Sequence, residues 1–196
     1  MNLDFPKLPF GATPIDDLSG LIPTYITTRQ ELYNAEFKNI AEATYLYLTR
    51  KKVCTFSLKF LYKVHHDMFK YVWKWAGKKR ITNLNIGVDK NQIDIALKNL
   101  LDDLKFWETS NVSLLERSVI LHHRLVKIHP FLNGNGRWAR LVINIYLKQH
   151  AAPLIKWPEN SLTNANNFRE QYIQALKEAD AGNYLPLTQL HQDLLR

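Results

Sequence analysis

The sequence has a single cysteine, Cys54, so no internal disulfide can staple the chain. No apolar run approaches the roughly eighteen residues that a membrane helix requires. The opening "MNLDFPKLPFGATPIDDLSG" lacks a basic stretch followed by an apolar one, the mark of a secretory leader. Together these absences exclude a disulfide scaffold, give no membrane partner and make the cytoplasm the expected location. No internal repeat is visible, and the tail after Gly182 contains no glutamate.

What is present suits one packed domain over residues 1–196: hydrophobic residues make up 46% and charged residues 22%. Twenty-six Lys and Arg against eighteen Asp and Glu give a net charge of +8, which draws anions such as nucleotides. The excess is dispersed, with "KK" at 51–52 and "KKR" at 78–80 as its clusters. A dedicated nucleic-acid surface is therefore not supported.

Hydrophobic spacing predicts an all-α fold. An extended arm holding Pro6, Pro9, Pro14 and Pro23 leads to a helix, or a broken pair, from Thr27, with Thr28 and Glu31 spaced as a capping box. Leu32, Ala35, Ile40, Ala43 and Leu46 or Tyr47 form its apolar side. Ser57 caps a second helix that places Leu58, Leu61, Val64 or His65, Met68 and Val72 together and ends before Gly77. The stretch "KKRITNLNIGVDKNQ" has no helical period and reads as a short β-hairpin or exposed loop. Further helices are expected at "QIDIALKNLLDDLKFWE", "SLLERSVILHHRLVKIH", a stretch ending near Gln149, "FREQYIQALKEADAG" and "LPLTQLHQDLL".

Chemistry concentrates at residues 129–140, "HPFLNGNGRWAR". Gly134, Asn135 and Gly136 stand where one helix gives way to the next. Glycine backbone can turn successive N–H groups onto one concave face, and the new helix adds free N–H groups and a positive dipole end. That arrangement binds phosphate. Arg137 and Arg140 fall one helical turn apart on the same face and could each clamp polyphosphate oxygens. His129 precedes the cradle, and imidazole is the usual base for a hydroxyl proton near neutral pH. Phe131 reads as a core anchor of the loop.

This string resembles the signature of Fic-domain proteins, His-x-Phe-x-Asp/Glu-Gly-Asn-Gly-Arg-x-x-Arg, at every defined position but Asn133. "HHDMFKYVWKWAGKKR" and "YIQALKEADAGNYLPL" resemble its flanking segments, so the likeness runs from about residue 55 to 190. Residues 1–40 are then an arm with a possible inhibitory helix. "GLIPTYITTRQELYNAEFKNI" resembles a bacterial subgroup called mobile mystery protein B. The resemblance implies a Fic-like helical bundle with a short β-hairpin flap and transfer of a nucleoside monophosphate, commonly AMP from ATP, to a Ser, Thr or Tyr hydroxyl of a target protein. By that analogy His129 is the base, Gly134, Asn135 and Gly136 hold the α- and β-phosphates, Arg137 holds the β-phosphate and Arg140 the γ-phosphate. Ile81, Thr82, Asn83 and Leu84 lie in the flap that aligns the target. The subgroup also implies a neighbouring small helix-turn-helix protein as a partner.

Asn133 stands where the family has the acid associated with Mg²⁺, so a metal there is expected to be weakly held. The family's inhibitory pattern, Ser/Thr-x-x-x-Glu-Gly/Asn, is partly met by Thr27 and Glu31, although Leu32 breaks it; Glu31 is also the capping-box partner of Thr28, and Glu36 is a second candidate for Arg140. Two other readings compete. An HD-type hydrolase is suggested by "HHD" at 65–67 with His122, His123 and His129, but no histidine precedes His65 to supply the upstream ligand. A Fic-like nucleotide-binding or partner-binding module, without AMP transfer, stays open because of Asn133. Trp73, Trp75, Trp107, Trp138, Trp157 and Tyr172 read as core or rim aromatics, with an adenine contact also open for Tyr172.

Overall fold

The computed structural model describes residues 18–49, 54–159 and 167–195. Most of the expected N-terminal arm, with Pro6, Pro9 and Pro14, lies outside the described residues, as do the lysine pair at 51–52 and the stretch 160–166. Seven α-helices order the described chain: α1 (Arg29–Thr49), α2 (Leu58–Phe69), α3 (Ile93–Glu108), α4 (Leu114–Ile128), α5 (Asn135–Gln149), α6 (Asn167–Asp180) and α7 (Leu185–Leu194).

Local chemistry explains their starts. Ser57 and Ser113 sit in extended backbone, and each side-chain oxygen accepts a hydrogen bond from the N–H three residues on, Phe60 and Glu116. At α1 the Thr28 hydroxyl accepts from Glu31 N, while the Glu31 carboxylate accepts from Thr28 N at 3.0 Å and Thr27 N at 2.7 Å. The first helix is one unbroken run, not a pair. It buries Leu32, Glu36, Asn39 and Ala43, so two of its four core-facing positions are polar.

α5 is the central element. It is buried on nearly every side, from Trp138 through Leu147, and packs against α1, α2 and α4. α4 bridges to α3 on one side and to α6 and α7 on the other. Trp138 is fully buried, and its indole N–H donates to the Leu61 carbonyl at 3.0 Å, so α5 meets α2 without an orphaned donor. Trp73 is likewise core, and Trp75, Trp107 and Trp157 line its edge. α2 ends at Phe69, earlier than the spacing predicts, because the chain turns there to pair Trp73 with Leu21.

Where a short β-hairpin or exposed loop is expected between Arg80 and Val88, the structure shows a loop: among the described residues there are two isolated bridges and no strand. Arg80 explains the loop. Its buried guanidinium donates to the carbonyls of Thr82 at 2.9 Å, Val88, and His129 at 2.8 Å. Its own N–H donates to Pro130 O at 2.9 Å. The segment is gathered around one side chain and tied to the end of α4, which leaves no paired strands.

Candidate active site

His129 caps α4 in left-handed backbone, φ 52° and ψ 60°, with the side chain largely buried. Its Nδ1 lies 3.3 Å from the Val126 carbonyl. A carbonyl can only accept, so Nδ1 carries the proton and Nε2 keeps its lone pair. Burial, with the Arg80 charge adding to it, depresses the imidazole to about 4, so it is neutral at ordinary pH. A neutral ring with a free Nε2 is the form a general base needs.

The loop that follows is held from within. Gly134 has φ 79°, and a Cβ there would lie 2.5 Å from the Phe69 ring, so only glycine fits. The Asn135 side chain bonds both backbone groups of Phe131, donating to its O and accepting from its N, each at 2.9 Å. Phe131 is fully buried and stacks on His65 with ring centroids 3.5 Å apart. His65 Nδ1 accepts from Gly77 N at 2.9 Å, which leaves Nε2–H to donate to the Asn133 carbonyl at 3.1 Å. His65 is thereby a clamp on the phosphate-type loop, with its pKa lowered to about 3 by burial, and not a metal ligand of an HD site. The cradle is the backbone of Gly134, Asn135 and Gly136 at the start of α5; the Asn135 side chain braces it from behind.

Both arginines are engaged by carboxylates. Arg137 donates to Glu36 at 2.6 Å and to Asn133 Oδ1 at 3.2 Å, and its guanidinium lies over the Phe69 ring. Glu36 is held in turn by the Trp73 indole N–H at 2.7 Å. Arg140 makes a two-pronged pair with Glu159, Nε at 2.8 Å and Nη2 at 2.5 Å. Burial alone would lower the Arg140 pKa, but Glu159 holds it above its ordinary value. Glu36 therefore faces Arg137 and not Arg140, and the carboxylate on Arg140 is Glu159 and not Glu31. Glu31 and Thr27 are committed to the α1 cap, where the Thr27 hydroxyl also donates to Glu31 at 3.1 Å.

Asn133 directs its amide oxygen at the helix start, accepting from Gly134 N at 2.6 Å as well as from Arg137. Ile81, Thr82 and Asn83 are exposed beside the His129 end of α4, and Leu84 is half-buried. Asn83 is fixed there by accepting from Lys90 N at 2.8 Å and donating to Asp89 at 2.8 Å.

A contiguous base, glycine turn and helix start, gathered by α2, α4 and α5, is what a family model then matches. Residues 55–147 match the Fic/DOC family. Over that stretch the chain is similar to Fic-domain proteins. Over 115 residues it is 31% identical to a protein adenylyltransferase, Fic-1, of Caenorhabditis elegans, an alignment covering 57% of this chain and 21% of that protein. Over 87 residues it is 36% identical to a probable protein adenylyltransferase of Aquifex aeolicus, covering 43% and 24% respectively. The chain thus spans about a fifth to a quarter of the length of these relatives.

Solved structures share the fold. A Bartonella tribocorum effector, BepC, solved with bound AMPPNP, superposes with a TM-score of 0.69 at 21% identity, over 96% of this chain and 95% of that one. The C. elegans Fic-1 structure gives 0.67 at 23% identity, over 90% and 52%.

Three contributors to the candidate site were not visible in the motif. Arg80, Glu159 and Tyr172 lie outside it, and the Arg140 guanidinium sits 5.7 Å from the Tyr172 ring. Arg169 on α6 is also close enough for its charge to act on both Arg140 and Tyr172. A buried polar position on an otherwise apolar helix face, such as Glu36, was the available sequence signal.

Proposed function

We propose that the chain is a protein adenylyltransferase that moves AMP from ATP to a Ser, Thr or Tyr hydroxyl of a target protein. The observation that carries this is His129: a neutral imidazole, its Nδ1 proton fixed on Val126 O and its Nε2 free, at the mouth of a glycine turn and helix start. The relatives named protein adenylyltransferases support it.

In the reaction, His129 Nε2 takes the proton from the target hydroxyl as that oxygen attacks the α-phosphorus. A new P–O bond joins AMP to the target, and the bond from the α-phosphorus to the β-phosphate's bridging oxygen breaks. Pyrophosphate leaves, and the proton on Nε2 passes to solvent or to pyrophosphate. Backbone N–H groups of the Gly134–Gly136 turn and the α5 dipole stabilise charge on the phosphates. Arg137 is assigned to the β-phosphate and Arg140 to the γ-phosphate. Glu36 and Glu159 hold these guanidinium groups before nucleotide arrives and must yield donors to it. The Arg80-organised loop with Ile81, Thr82, Asn83 and Leu84 is assigned to target alignment.

Mg²⁺ does not fit the protein groups as they stand. Asn133 offers a neutral oxygen that already accepts from Gly134 N and from a cationic guanidinium. No step above is routed through a metal.

One observation favours a second reading, a nucleotide-responsive module without transfer: both arginines are occupied by carboxylates. Label transfer separates the two. With ATP labelled on the α-phosphate, a transferase labels itself or proteins of a lysate, and His129→Ala abolishes the signal; a module binds ATP and labels nothing.

A further inference from the structure

Behind Arg140 runs a buried chain of hydrogen bonds that crosses three helices. Ser118 on α4 donates its hydroxyl to Leu115 O at 2.7 Å, so its oxygen can only accept from His191 Nδ1 of α7, 3.4 Å away. With Nδ1 protonated, His191 Nε2 accepts, and its partner at 2.8 Å is His122 Nδ1 of α4. His122 Nε2 is then the acceptor for the Tyr172 hydroxyl of α6 at 3.0 Å. The direction of every bond is fixed by the first. The Tyr172 oxygen, whose hydrogen is donated to His122, keeps only lone pairs for the Arg140 guanidinium, whose central carbon lies 5.7 Å from the Tyr172 ring centre.

Burial makes the chain rigid. Ser118, His122 and His191 have no exposed surface, and Tyr172 and Arg140 keep 6% and 5%. Trp157 closes one side, edge-on to His122 at 5.1 Å and to His191 at 5.4 Å. Both imidazoles are held neutral by burial, His191 at about 3 and His122 well below its ordinary value, so neither adds a cation beside Arg140.

We propose that Tyr172, oriented by the Ser118–His191–His122 chain, is a positioning residue for Arg140 that holds the guanidinium in place to receive a γ-phosphate when Glu159 lets go. This rests on the assignment of Arg140 to the γ-phosphate. Glu159 covers the Nε and Nη2 edge, while Nη1 points to Gly136, where an added Cβ would sit 3.3 Å from it. When nucleotide replaces Glu159, Tyr172 is the partner that remains. Without it the guanidinium must be ordered by the ligand itself, at a cost in affinity. The device also gives α6 and α7, which lie beyond the matched residues 55–147, a part in the site.

ATP and ADP differ by the γ-phosphate, so the ratio of their affinities reads Arg140 alone. Calorimetric binding of each is compared for wild type, Arg140→Ala, Tyr172→Phe, His191→Leu and His191→Gln. Arg140→Ala should erase the preference for ATP. Tyr172→Phe keeps the ring and removes the acceptor, and should lower the ATP to ADP affinity ratio about ten-fold with ADP affinity unchanged. His191→Leu should do the same, whereas His191→Gln, which can still accept from His122, should restore most of the ratio. An unchanged ratio in Arg140→Ala overturns the phosphate assignment and this inference with it. A lost ratio in Arg140→Ala beside a wild-type ratio in Tyr172→Phe overturns this inference alone.

Discussion

His129 holds a backbone conformation that costs a non-glycine residue about 1–2 kcal/mol, and it persists because its surroundings over-determine it. Arg80 grips its carbonyl, and Gly87 lies so near that a Cβ there would come within 2.7 Å of the His129 Cβ. Burial sets its chemistry. Because the folded imidazole titrates at about 4, it stays unprotonated at every higher pH and gains a proton only below that value. The acid limb of kcat/KM for transfer should therefore fall near pH 4 and not near 6.5, which a pH–rate profile measures. Gly134 is as constrained: Gly134→Ala combines positive φ with a clash on Phe69 and should cost about 2–4 kcal/mol in denaturant unfolding. At Asn133 a carboxylate would face Arg137 and supply the charge a cation requires, so Asn133→Asp should make ATP binding more responsive to Mg²⁺ in calorimetry. Equal responses in the two proteins would contradict that.

At the scale of elements, α1 has two ends of its chemistry in different places. Its N-terminus is closed by Thr27, Thr28 and Glu31, and its middle sends Glu36 into the core to Arg137 and Trp73. The capping box was legible because its residues are local. Glu36 was not assigned correctly because its partner is 101 residues away, and spacing along one helix does not say which buried acid meets which distant cation. The same holds for Arg80, whose bonds to the carbonyls of residues 82, 88 and 129 gather into a loop a stretch that the sequence left as hairpin or loop. The cradle, by contrast, is contiguous, so its turn and helix start could be read directly. Glu31→Ala should lower stability through the lost cap and should not raise transfer activity. Thermal unfolding and labelled transfer on the same variant check both halves; a gain in activity would return Glu31 to a gating role.

The whole molecule keeps several imidazoles neutral inside it. His65 and His191 titrate at about 3 and His129 at about 4, with His122 also well below its ordinary value, all through burial. In the unfolded chain each titrates near 6.5, so between that pH and the folded values the unfolded state binds more protons. The stability they allow is complete above about pH 6.5 and is lost as pH falls, by about 1.4 kcal/mol per pH unit for each imidazole. Urea unfolding across that window should show the decline, and His191→Gln should make it shallower. The all-helical plan was legible in the apolar spacing, while the way α6 and α7 reach back to Arg140 through these histidines depends on tertiary contact and was not.

The group that is transferred and the part His129 plays in transferring it decide the function. Intact-mass and peptide mass spectrometry after incubation of the protein with ATP and a lysate measures both. An adenylyl group on a Ser, Thr or Tyr oxygen is expected in the wild-type reaction and none with His129→Ala. A phosphoryl group in its place, adenylylation that survives His129→Ala, or bound ATP with no modification of any protein would contradict the proposed function.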